Sequence, residues 1–113
     1  MQIVSAPITL DELRRIAGGQ FGDFIKAVVD VQRGVMAIGG DLHADEEALL
    51  LQEGARQADL WGINLYPDRA GTEIIEFDSM INVRPSQGNR SRGVDDAAVQ
   101  RLIRDIVGRL VRQ

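Results

Sequence analysis

The sequence predicts an α+β fold: a mainly antiparallel sheet of four to five strands with N- and C-terminal helices packed on one face. Three observations carry this. Residues 24–38 and 72–84 alternate apolar and polar side chains with the period of two that suits a strand facing a core on one side. Val99, Leu102, Ile103, Ile106 and Leu110 recur at helical spacing near the C-terminus. The chain of 113 residues, 44% of them hydrophobic, can furnish one core, so residues 1–113 are expected to form a single domain.

In chain order, Ile3 and Val4 suit a short strand ahead of Pro7. Thr9-Leu10-Asp11-Glu12 is a capping box, in which the Thr9 hydroxyl accepts from the backbone three residues on and Glu12 reaches back, so a helix starts there. Gly18-Gly19 ends it. From Phe24 to Val31, Ile25, Ala27, Val29 and Val31 share one face, and Lys26, Val28 and Asp30 share the other. With Val35 to Ile38 this forms a hairpin through Gln32-Arg33-Gly34. Residues 45–53 begin with Asp45 as a helix N-cap and an acidic first turn. They continue in good helix formers, although Gln52-Glu53-Gly54-Ala55 would equally serve as a hairpin turn after a strand over 46–52. Leu60 to Tyr66 is a strand stopped by Pro67, with Trp61 expected in the core. Thr72 to Arg84 is the longest strand pattern, stopped by Pro85. It sets Ile75, Phe77, Ser79, Ile81 and Val83 on one face, and Glu76, Asp78, Asn82 and Arg84 with Ile74 and Met80 on the other. Asp95 or Asp96 caps the last helix, whose apolar stripe, Leu102 included, should pack on the sheet.

Composition excludes several functions. There is no cysteine, hence no disulfide framework, thiolate metal site or thiol nucleophile. No apolar run reaches the roughly 18–20 residues of a membrane span, and no signal-peptide pattern opens the chain, so a soluble cytoplasmic protein with no membrane partner is expected. Residues 1–83 carry 14 acidic and 6 basic side chains and residues 84–113 carry 3 and 7, so a net charge of −4 conceals a basic last quarter. Aromatic content of 4% and overall acidity argue against a nucleic-acid binder.

The segments least like generic scaffold are Gly39-Gly40-Asp41-Leu42-His43-Ala44-Asp45, Leu60-Trp61-Gly62-Ile63-Asn64 and Ile81-Asn82-Val83-Arg84-Pro85-Ser86-Gln87-Gly88-Asn89-Arg90-Ser91-Arg92. Taken together and in this order, the chain resembles a small uncharacterised prokaryotic family, a domain of unknown function. The resemblance runs from about residue 24 to the start of the last helix. It implies a free-standing prokaryotic protein and brings no activity or site residues with it.

Site candidates therefore come from the residues. Asp41, His43 and Asp45, at i, i+2 and i+4, would project to one side of an extended segment. That set suits a divalent ion, but with no second histidine and with Asp45 accounted for as an N-cap, neither a metal nor any other cofactor is assigned. His43 is the only imidazole, so it leads the catalytic candidates, with Asp41, Asp45, Glu76 and Asp78 as proton partners. On one strand face, Glu76 and Asp78 would stand ~6.5–7 Å apart. No serine lies in a G-x-S-x-G turn, and the P-loop lysine and spacing are missing. The strongest binding candidate is the loop that follows the long strand pattern: Arg84, Asn89, Arg90, Ser91 and Arg92 supply forked donors, an amide and a hydroxyl matched to an anion. The expectation is a binding or interaction module, monomer or homodimer, that recognises a small anionic ligand or an acidic protein partner through this loop. The alternative is a small hydrolase or transferase acting on a phosphorylated or carboxylated substrate. If His43 and the arginine loop share one cleft, the enzyme reading gains, because catalytic groups must converge on one substrate.

Overall fold

The strand patterns over residues 25–38 and 60–65 build a sheet because each strand has a face that must be buried. The structure, a computed structural model, describes residues 1–112. Strands β1 (Gln2–Val4), β2 (Ile8–Thr9), β3 (Ile25–Asp30), β4 (Val35–Ile38), β5 (Leu60–Leu65), β6 (Ile75–Glu76) and β7 (Val111–Arg112) accompany helices α1 (Leu10–Gly18), α2 (His43–Gln52) and α3 (Ala97–Leu110). Five strands form one antiparallel sheet in the order β1-β4-β3-β5-β6, while β2 and β7 pair in parallel and tie the two ends of the chain together.

One face of the sheet carries Ile25, Ala27, Val29, Met36, Ile38, Trp61, Ile63 and Leu65, and it packs on Leu13 and Ala17 of α1 and on Ile103, Ile106, Val107 and Leu110 of α3. The N- and C-terminal helices thus share a face, as the pattern predicts. Trp61 is in the core. The other face is covered in part as well: Val28, Ala37 and Leu60 meet Leu50 of α2, with Ile81 packed alongside. Residues 45–53 resolve in favour of the helix. It begins two residues early, with Leu42 at the cap and no side-chain capping bond, so Asp45 is not the N-cap but part of the acidic first turn. The Thr9 cap forms, its Oγ1 accepting from Glu12 N at 3.1 Å, although the Glu12 carboxylate turns to Arg15 instead of reaching back. Asp96 caps α3 by accepting from Ala98 N at 2.8 Å.

Two expectations are corrected. Leu102 is 47% exposed. The inward stripe of α3 is Ile103, Ile106, Val107 and Leu110, and Leu102 lies about 100° round the helix from Ile103, off the buried side. The long strand over 72–84 is also not formed: only Ile75–Glu76 pair with β5, between 3₁₀ turns at Gly71–Ile74 and Met80–Asn82. Asn82 explains why the strand can stop. Fully buried, its Oδ1 accepts from Gly62 N at 2.8 Å and its Nδ2 donates to Gly62 O at 2.9 Å, so one side chain satisfies the backbone pair that a further strand residue would have taken. Ser79 lies against the same glycine, where a Cβ would come within 2.5 Å of it. Gly62 is what lets the segment close on the sheet.

Candidate functional site

Register, which no single strand pattern contains, aligns Lys26 of β3 with Asn64 of β5 and Asn64 with Glu76 of β6 on the α2 face of the sheet. These three side chains line a cleft of about 580 Å³ between the sheet, the start of α2 and the segment after β6. His43, Asp78, Ser79 and Arg92 close it, Phe24 and Tyr66 form an aromatic wall, and Leu42 and Met80 stand at the lip. Leu42 and Met80 are 56% and 64% exposed, so the lip is apolar and open.

Each polar group has a definable state. Glu76 Oε1 accepts from Asn64 Nδ2 at 2.8 Å and from the Tyr66 hydroxyl at 3.3 Å. Burial, then the neighbouring Glu76 carboxylate, pushes the Tyr66 hydroxyl above its ordinary pKa, so it stays a donor. Asn64 is buried and its Oδ1 has no partner. Arg92 Nε donates to Asp78 Oδ1 at 2.6 Å. Lys26 forms no ion pair among the described residues; its ammonium lies 5.3 Å from the centre of the Phe21 ring. That ring stacks on Phe24, which in turn meets Tyr66, so the aromatic wall and the cation are one assembly.

His43 is the first residue of α2 and is 8% exposed. Its Nε2 lies 2.7 Å from the Ile63 carbonyl oxygen. A carbonyl only accepts, so Nε2 carries the proton. Burial pulls the imidazole below its ordinary pKa, and Lys26 and Arg92 act in the same direction. The hydrogen bond to Ile63 and the Asp78 carboxylate oppose them. One turn along, Glu46 is fully buried against Gly40, whose N–H it accepts at 3.0 Å through Oε2, while Oε1 has no partner. Burial pushes this carboxyl up to about 9.

The cleft gathers four of the sequence candidates: His43, Glu76, Asp78 and Arg92. Asp41 and Asp45 part from His43 because the helix begins there. They line a second concavity of about 530 Å³ beside Gly40 and Gln20. Among the described residues, no group of three or more His, Asp or Glu side chains could hold a metal ion. Arg84 lies 4.2 Å over the Trp61 ring and donates to the carbonyls of Gln57 and Leu60, so its guanidinium braces the sheet edge. Asn89 is buried and bonds the backbone of Asn82, Ser91, Gly93 and Asp95. The loop already holds an anion of its own: Asp95 accepts from Arg90 N and from the Ser91 hydroxyl, and these bonds hold its carboxyl below the usual range. Arg90 forms no ion pair among the described residues, and Arg92 is the loop's contribution to the cleft.

The sequence reading missed Lys26, Asn64 and Tyr66. A lone lysine inside a mostly apolar strand, and an asparagine ending Leu60-Trp61-Gly62-Ile63-Asn64, were the available signals. The residues that bracket this cleft fall inside a family-model match spanning residues 2–110, to the family described as Protein of unknown function (DUF5674). The chain belongs to that family. No match was found among curated proteins or among solved structures. No helix among the described residues of this DUF5674 protein is long and apolar enough to cross a membrane.

Proposed function

We propose that this DUF5674 protein is a binding module for a small anionic ligand, taken in the cleft between Lys26 and Arg92. The observation that carries the reading is Lys26: a half-buried lysine lining the cleft, with no carboxylate in ion-pair reach among the described residues, in the same cleft as a guanidinium. An ammonium at the wall of a cleft, with no carboxylate to neutralise it, attracts an oxyanion, which supplies the charge-assisted partner. Arg92 of the arginine-rich loop supplies the second donor set, and exposed Arg90 adds positive charge beside it in the chain. Within this reading Arg84, Asn89 and Ser91 shape the loop while Arg92 contacts the ligand. A carboxylate from an acidic protein partner presents the same chemistry, and either a monomer or a homodimer in the cytoplasm would serve.

Inorganic phosphate tests it. Backbone amides of Lys26, Ala44, Asn64 and Arg92 should shift first in a heteronuclear NMR titration, and affinity should fall as salt rises. Shifts confined to surface arginines of α3 would refute the cleft.

A second reading, a small hydrolase or transferase for a phosphorylated or carboxylated substrate, gains from one fact. His43 faces the same cleft as Glu76, Asp78 and Arg92, so a proton acceptor and charge-stabilising groups converge. Turnover of p-nitrophenyl phosphate that disappears in His43→Gln would favour it over binding alone.

A further inference from the structure

The binding reading leaves His43 without a task, although it is the one histidine of the chain and lines the same cleft as the two cations. We propose that the cleft takes up a doubly charged oxyanion together with one proton, which His43 accepts on Nδ1 and keeps, the Nδ1–H donating a hydrogen bond to the anion. This rests on the anion-binding reading and specifies the ligand's charge and the condition for its capture.

The argument begins with the hydrogen bond to Ile63. Because Nε2–H is committed to that carbonyl at 2.7 Å, a neutral His43 presents only the Nδ1 lone pair as its second polar atom. Toward an oxyanion a lone pair is repulsive and an N–H is attractive, so the imidazole opposes binding in one protonation state and supports it in the other. The formal charges lining the cleft cancel: Lys26 from β3 and Arg92 from the loop against Glu76 from β6 and Asp78 beyond it. Tyr66 and, on α2 itself, Glu46 and Glu47 are further titratable neighbours, and burial raises the pKa of Tyr66 and Glu46. Glu76 is already held by Asn64 and Tyr66, and Asp78 by Arg92. Desolvation first, then the two cations, lower the His43 pKa and so favour its neutral form, against the pull of the Ile63 hydrogen bond and Asp78. A dianion reverses that balance, since an opposite charge at hydrogen-bond range favours the protonated imidazole. By linkage, proton and anion then strengthen each other's binding by the same factor.

Inorganic sulfate is the suitable probe, because it stays doubly charged across the range and any pH dependence belongs to the protein. Titration calorimetry from pH 8 to pH 5.5 should show the wild-type affinity tightening as pH falls, approaching about tenfold per pH unit where one proton is taken up. His43→Gln should bind sulfate with that slope lost. In wild-type protein, the imidazole resonances of His43 should titrate at higher pH with sulfate than without it. That measurement needs no variant, so it decides the matter even if His43→Gln fails to fold. A His43 midpoint unmoved by bound sulfate, or equal slopes in wild type and variant, overturns the proton coupling while the anion reading stands. Absence of sulfate binding at every pH overturns the anion reading and this inference with it.

Discussion

The two faces of the sheet use the same strands in opposite ways. Ile25, Ala27, Val29 and Ile63 on one face meet α1 and α3 through apolar contacts alone, and every one of them is fully buried. One residue along, Lys26, Asn64 and Glu76 line a cleft on the other face, and α2 brings His43 and Glu46 to that side instead of a continuous apolar stripe. The first face supplies what packing can supply. The second carries unpartnered Oδ1 of Asn64, unpartnered Oε1 of Glu46 and an ammonium without an ion pair among the described residues. The two buried, unpartnered oxygens cost stability, so their presence on this face, beside an unneutralised cation, marks where stability has been given up for a site.

The strongest way to break this comparison is to damage the apolar face. Ile103→Ala removes a fully buried side chain at the centre of the α3 contact and should cost about 2–5 kcal/mol in urea unfolding. Leu102→Ala, one residue away and 47% exposed, should stay within about half a kilocalorie. Similar losses for the two would place α3 in a different rotation on the sheet.

Asn82 is next in size, because it joins the two regions. Asn82→Ala strips Gly62 N–H and C=O of their side-chain partners and leaves the Arg92 carbonyl with the Ser79 N–H alone, so a loss of about 2–3 kcal/mol is expected from the unsatisfied backbone groups. The same variant should loosen the segment that carries Asp78 and Arg92, visible as faster amide exchange from Ser79 to Arg92. A variant as stable as wild type would show that water replaces the amide without penalty.

Glu46 gives the polar face a signature in pH. Its carboxyl binds a proton more tightly in the folded chain, with a pKa pushed up to about 9, than at the ordinary 4.5. The folded state therefore holds the extra proton between those values. The sign follows: its contribution is fullest below about 4.5, declines as pH rises through the window and is lost above about 9. Unfolding free energy at pH 5, 7 and 8.5 should fall with a slope approaching about 1.4 kcal/mol per pH unit, and Glu46→Gln should flatten it. A flat wild-type profile would mean that water or a cation reaches Glu46.

How far the sequence could reveal this differs between the two faces. The core face was legible from alternation in 24–38 and 60–66, and the caps at Thr9 and Asp96 were legible from hydroxyl and carboxylate placement, since each depends on neighbours in the chain. The pattern over 72–84 misled because Phe77, Ile81 and Val83 also satisfy a chain that leaves the sheet. What ends β6 is a contact from Asn82 to Gly62, 20 residues away. Leu102 misled because a stripe five residues wide does not say which edge faces inward. At the site, His43, Glu76, Asp78 and Arg92 were nameable by chemistry. Their meeting with Lys26 and Asn64 was not, since it depends on the register of β3, β5 and β6 and on which face α2 covers.

Only a small effect on stability should come from the residue on which the functional reading depends most. Lys26 is half-buried, has no ion-pair partner among the described residues to leave uncompensated, and touches the Phe21 ring through a cation–π contact worth about 0.5–1 kcal/mol at an exposed site. Lys26→Gln keeps the length of the stem and removes the charge. That contact is the one interaction lost at a half-buried, solvent-reached position, so the net change in unfolding free energy should stay within about 1 kcal/mol. Sulfate affinity should nevertheless fall by about tenfold or more, the size of one charge-assisted hydrogen bond. Removing Lys26 also removes a cation that lowers the His43 pKa, so the His43 midpoint in the sulfate-free variant should move up. A variant that binds sulfate as wild type does would return the Lys26 ammonium to solvent and the aromatic wall, and the polar face would lose its claim to be a site for anions.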